Sequence, residues 1–191
     1  MASATTDGAN KETPQALLSR LLFVLQNPPQ GGSLADYKIW AEAVPGVGIA
    51  YIYGQRRSAN SVDIVILADG LAMPSGTLID TVQAEIDIKR NVTADCLVFG
   101  PTGVAVAVTG TLTLVGGVLL ADVLPFIEAS LAAYFQSLKP GDTVIRNRII
   151  NLITAIDGVV DVDLTAPAAN TAMLVDATHV ELAVLGTVTI S

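Results

Sequence analysis

Leu17, Leu18, Leu21, Leu22 and Leu25 recur at helical spacing directly behind Thr13-Pro14. Thr13 can cap a helix whose first residue is Pro14, because a proline there lacks an N–H that no helical carbonyl would have accepted. Asn27-Pro28-Pro29-Gln30-Gly31-Gly32 ends that helix, since the prolines cannot continue it and the glycines favour a turn. Ser33, with Asp36 three residues on, predicts a second helix opened by a weaker form of the capping box. It carries Tyr37 and Trp40, expected as core residues of its apolar face, and stops before Pro45-Gly46.

Beyond Gly46 the period changes. The runs 47–53 and 62–68 are rich in β-branched and aromatic residues and flank a polar stretch, so they predict an antiparallel pair. Ser75 opens a helix with Ile79, Val82 and Ile86 on one face. A short strand is expected over 96–99. A long one follows, in which Val104, Val106, Val108, Leu112 and Leu114 alternate with alanine and threonine. Leu124, Ile127, Leu131, Phe135 and Leu138 predict a helix that tolerates Pro125 only in its first turn. Ile145, Ile149, Leu152, Ile153 and Ile156 predict another, after the turn signal Lys139-Pro140-Gly141-Asp142. Val160, Val162 and Leu164 alternate with Asp161 and Asp163 in a half-exposed strand, and 182–190 forms the last. The fold class read from this order is α+β: an N-terminal helical segment over 1–45, a ββαβ subdomain over 46–101 and a βααββ subdomain over 102–191.

Composition narrows the function. At 191 residues the chain can bury a core without disulfides, and its one cysteine, Cys96, allows none within the chain. A net charge of −8 repels phosphate backbones and anionic lipid, so neither nucleic acid nor a membrane is expected as a partner. Charged residues make up 15 %, against a usual share of about 25 %. So few charges suggest that other subunits cover part of the surface. The uncharged run 97–121 is long enough to span a bilayer, but its glycines and its period of two mark it as strand. The start, Met1-Ala-Ser-Ala-Thr-Thr-Asp, has neither the basic nor the apolar part of a signal peptide.

No catalytic set can be assembled, and no cofactor or metal is expected. His179 is the sole histidine and falls in a polar segment, where it reads as a surface residue. Cys96 in its apolar strand reads as a small packed hydrophobe, and one histidine with one cysteine cannot complete a structural zinc site. Gly46-Val47-Gly48 resembles the opening of a dinucleotide loop, but Tyr51 stands where the third glycine belongs and the motif precedes a strand. Asp157, Asp161 and Asp163 lack the spacing of a calcium loop and read as the wet side of a strand. Asn91-Val92-Thr93 is a formal glycosylation acceptor without a secretory context, and Arg56-Arg57 reads as a solvated basic spot in a hairpin turn.

The order of certain motifs resembles the C-terminal half of the baseplate J-like proteins. Gly8-Ala9 with Glu12-Thr13 leads into a helix containing Arg20, as in that family. The more specific match is Asn27-Pro28-Pro29-Gln30-Gly31-Gly32-Ser33, then Asp36-Tyr37, Trp40-Ala41 and Val44-Pro45-Gly46-Val47. Val92-Thr93-Ala94-Asp95, Pro140-Gly141, Gly158-Val159 and Leu185-Gly186-Thr187-Val188 continue it, so the resemblance covers nearly the whole sequence. The family often has proline after the arginine that ends the third helix, where this chain has Asn91 after Arg90. The loop 53–61 is also shorter and less proline-rich than in the family.

That resemblance implies a non-enzymatic, structural wedge component of a contractile phage-tail baseplate, located in the virion and assembled in the bacterial cytoplasm. Its implied partners are other wedge and hub proteins, with self-association in the full-length protein. It also implies that the chain is a fragment lacking an N-terminal half. The residues do not separate a phage from a contractile bacteriocin or injection machine. A small-molecule-binding α+β domain is the alternative of a different class, and it requires a pocket with convergent polar groups.

Overall fold

A computed structural model describes residues 13–26 and 31–191. The Gly8-Ala9 segment, the Met1 end and the prolines of the Asn27–Gln30 turn lie outside the described residues. The elements follow the expected α+β order: α1 (Pro14–Gln26), α2 (Leu34–Glu42), β1 (Val47–Gly54), β2 (Ser61–Ala68), α3 (Gly76–Lys89), β3 (Asp95–Phe99), β4 (Thr102–Leu114), α4 (Leu120–Ser137), α5 (Arg146–Thr154), β5 (Val159–Ala166) and β6 (Glu181–Ile190).

The caps behave as their chemistry predicts. Ser33 Oγ accepts from the Asp36 N–H while the Asp36 carboxylate accepts from the Ser33 N–H, so two orphan donors of α2 are satisfied together. Ser75 Oγ accepts from the Leu78 N–H and starts α3. Pro125 differs from expectation. Helix α4 begins at Leu120, so the proline stands in its second turn and not its first. Both Pro125 and Ala121, whose carbonyl it cannot satisfy, are solvent-exposed, so the missing hydrogen bond falls on the open side of the helix.

Each half of the chain builds a three-stranded mixed sheet. In the first, β2 lies between antiparallel β1 and parallel β3. In the second, β4 lies between antiparallel β5 and parallel β6. Parallel neighbours need a crossover, and α3 supplies it in the first sheet. Two separate apolar clusters follow. Tyr37 and Ala41 of α2, Ile64 and Ile66 of β2 and Val82 and Ile86 of α3 fill one. Val108 of β4, Ile127 and Leu131 of α4 and Ile149 and Ile153 of α5 fill the other. Burial pushes the Tyr37 phenol up to about 12, beside Cys96.

Side chains guard the edges of the first sheet. Glu42 Oε1 accepts from the outward Ala50 N–H of β1 at 3.0 Å. On the other edge, Gln83 of α3 donates to the Cys96 carbonyl and accepts from the Val98 N–H, standing in for a fourth strand.

Gly48 shows why the dinucleotide-like motif is a strand feature. A Cβ at that position would lie 2.6 Å from the Ala68 carbonyl oxygen, beside a register shift in the β1–β2 ladder. Only glycine lets the two backbones approach so closely. Gly48→Ala should destabilise the fold by about 1–3 kcal/mol, measured as a lower urea midpoint with an unchanged slope.

Candidate functional site

Strand β2 is buried on both faces, and this directs attention to the side that does not face the helices. Ile64 and Ile66 point into the helical core, so Asp63, Val65 and Leu67 point the other way. Their register partners on β1 are Tyr53, Tyr51 and Ile49, and Phe99 of β3 pairs with Val65. This second face meets the other half of the chain. Leu67 and Leu71 line a crevice of about 200 Å³ together with Phe135, Leu138 and Leu182.

At one end of that face lies a buried carboxylate. Asp63 is fully buried, and each of its oxygens receives a different guanidinium. Arg56 Nε donates to Oδ2 at 2.6 Å and Arg57 Nε to Oδ1 at 2.5 Å. Arg57 also donates to the Asp95 carboxylate at 2.8 Å and to its carbonyl at 3.1 Å. Two cations thus meet two anions, and the cluster carries no net charge. Asp63 is the first cause that holds the Arg57 pKa above its ordinary value. The loop that presents both arginines is tied by Ser61, whose Oγ accepts from the N–H groups of Arg57 and Ser58 and donates to the Ser58 carbonyl.

Arg56 reaches further. Its Nη1 donates to the carbonyls of Asp176 and His179, the latter at 3.3 Å, and its guanidinium lies 5.4 Å from the Phe99 ring centroid. One side chain therefore holds a buried acid in the first sheet and a loop of the second half. The reading of Arg56-Arg57 as mere solvation is corrected by this arrangement. A signal was present in the sequence. A lone aspartate inside the continuous apolar run of β2 must find a cation when buried, and two arginines stand six and seven residues before it.

The receiving loop is locally organised. Asp176 accepts from the Thr178 N–H at 2.7 Å, the His179 N–H at 2.8 Å and the Thr178 hydroxyl at 2.9 Å. These donors, the two backbone N–H groups first, hold its carboxyl well below the usual carboxylate range. A group whose folded pKa is depressed contributes stability that is present above its unfolded pKa of about 3.9. That contribution is lost as pH falls through the folded value. The amides of Thr178 and His179 should therefore keep their exchange protection well below pH ~4, which hydrogen exchange measured against pH can check.

The other candidates stay apart. His179 is exposed, with Nδ1 beside the Thr178 hydroxyl and the Asp176 carboxylate. Cys96 is half-buried and its thiol is pushed up by burial. Asp157, Asp161 and Asp163 are exposed, and among the described residues no three His, Cys, Asp or Glu side chains gather as metal ligands. Among the same residues no helix is long and apolar enough to cross a membrane.

The leucines of α1 were expected to form an apolar stripe, and the structure shows where it points. At 100° per residue the five leucines cover an arc of about 140°. Phe23 lies almost opposite their centre and faces α2, with Lys38 Nζ 5.3 Å from its ring centroid. A groove of about 570 Å³ between the helices is lined by Phe23, Lys38 and Ile39. The leucines face away from the body and are 45 to 67 % exposed. Nearby, Gly32 packs against Asn91, whose amide nitrogen would lie 2.4 Å from a Cβ at Gly32. The family-like turn at Gly31-Gly32-Ser33 thus touches Asn91, the position at which this chain departs from the family, directly before the match Val92-Thr93-Ala94-Asp95.

Two family descriptions match the chain in succession. The Baseplate J-like central domain matches residues 29–100, and the Baseplate J-like protein C-terminal domain matches residues 106–191. The chain is 28 % identical over 195 residues to the Mu-like prophage FluMu protein gp47 of Haemophilus influenzae, covering 94 % of this chain and 52 % of that protein. It is 25 % identical over 169 residues to the baseplate protein gp47 of Escherichia phage Mu, covering 84 % and 47 %. The chain thus spans about half the length of these curated relatives. A chain in the cryo-EM structure of the anti-feeding prophage baseplate shares the fold, with a TM-score of 0.63 and 13 % identity over 90 % of this chain and 42 % of that one.

Proposed function

Because the chain belongs to the baseplate J-like family, we propose that it is a structural part of a contractile phage-tail baseplate and works through protein–protein contacts. The observation that carries this reading is the succession of the two family matches over 29–100 and 106–191. The exposed leucine face of α1 supports a role in contacts, since a soluble monomer seldom displays so continuous an apolar stripe. The helices α1 and α2 act as a segment preceding two α+β subdomains, 46–101 and 102–191, with α2 lending Tyr37 and Ala41 to the core of the first. The clamp around Asp63 keeps the two subdomains in one orientation, as a load-carrying part requires.

The protein's place is the tail of the virion, after assembly in the bacterial cytoplasm. Its partners are wedge and hub proteins, and the full-length protein associates with itself. It has no enzymatic role. Deleting the gene in a producing strain should yield tails without baseplates, and the full-length gene should restore them. Normal baseplates in the deletion strain would overturn the reading. A second reading, an injection machine or contractile bacteriocin, draws on the fold shared with the anti-feeding prophage baseplate. Capsid genes beside the gene would decide for the phage.

A further inference from the structure

The far end of the second sheet carries a cleft of about 640 Å³ where the start of α4 meets the turn after α5. Val118, Phe126 and Ile156 give it an apolar floor, and Asp122 and Asp157 stand at its rim. Phe126 is 64 % exposed although it belongs to a helix whose other face is core. Leu119, next to Val118 in the chain, is also exposed. A contiguous apolar surface rimmed by polar groups marks a contact site.

The charges say what kind of contact. Over 102–191 the only basic residues are Lys139, Arg146 and Arg148. Lys139 follows the far end of α4, roughly 25 Å from Asp122 by the helical rise, and Arg148 lies roughly 9 Å along α5 from its last residue, Thr154. At the cleft itself the C-terminal carbonyls of α5 end and the first N–H groups of α4 begin, so the two helix dipoles offset each other and the charge of the rim is that of Asp122 and Asp157. A second copy of this chain would bring acid against acid, at a net charge of −8 per chain.

We propose that this cleft receives an apolar side chain of a neighbouring baseplate protein, from a segment that carries lysine or arginine on both sides of the anchor; this rests on the baseplate role. The apolar anchor supplies burial and the flanking cations select the partner and speed the encounter. The test places p-benzoylphenylalanine at position 126 of the full-length protein in cells making tail particles. Purified particles are irradiated and the cross-linked peptides sequenced by mass spectrometry. Position 126 is exposed, so the substitution leaves the core intact.

The expected cross-link is to a segment with at least two lysines or arginines within four residues of the attachment point. Asp122→Asn with Asp157→Asn should cut its yield about fivefold at low salt. A cross-link to a segment without basic residues, a cross-link to a second copy, or none in particles that contain the protein would overturn the proposal and leave the baseplate role standing. Particles from which the protein is missing would overturn both.

Discussion

Asp63→Ala is expected to destabilise the first sheet by about 3 kcal/mol, because it leaves the largely buried Arg56 guanidinium with no anion while Arg57 keeps only Asp95. For a chain of this size that corresponds to a melting temperature lower by roughly 10 °C. The loss divides unequally between the partners. Arg56→Ala leaves Asp63 with the Arg57 hydrogen bond at 2.5 Å, so the first sheet suffers less. The same change also removes the donor to the Asp176 and His179 carbonyls, so the amides of 176–179 should exchange faster. Calorimetry together with hydrogen exchange separates the two effects. An Asp63→Ala protein that melts with the wild type would show that the cluster is not the clamp described above.

Changing Leu18, Leu21 and Leu25 together to aspartate should have the opposite signature. All three are exposed on α1, so the isolated chain should lose no more than about 0.5 kcal/mol per site. Assembly should collapse. A half-exposed leucine buried at a contact contributes about 1–2 kcal/mol, so three lost leucines weaken the contact by roughly a hundredfold to ten-thousandfold. Their spacing also describes the contact. With Leu18, Leu21 and Leu25 as the central seam, Leu17 and Leu22 flank it on both sides, a stripe wider than a two-stranded coiled coil needs. Incorporation of the variant into particles, quantified against wild type in the same cells, measures the effect.

Much of the fold could be read from periodicity. The alternation from Val104 to Leu114 fixed a strand where hydropathy alone would have allowed a membrane span, and Ser33-Asp36 located the start of α2 to the residue. Pro125 was misplaced by one turn, because the N-cap of α4 is Leu119, whose side chain cannot accept a hydrogen bond and so leaves no mark of the helix start in the sequence. The junction was less legible. Arg56 and Arg57 look like any solvated pair until Asp63, six and seven residues on, is known to be buried. The contact with Asp176 and His179 joins residues 120 and 123 positions apart, and nothing local in the sequence signals it. The leucine stripe was legible as apolar, but its outward direction was not, since only the packing of Phe23 on α2 decides which side of α1 faces the body.

The proposed role builds this chain into the baseplate of a contractile tail. Electron microscopy of purified tails labelled with gold-conjugated antibody against the full-length protein tests it most directly. Label confined to the end of the tail that carries the baseplate is the predicted result; label along the sheath, at the opposite end or nowhere on the particle would contradict it.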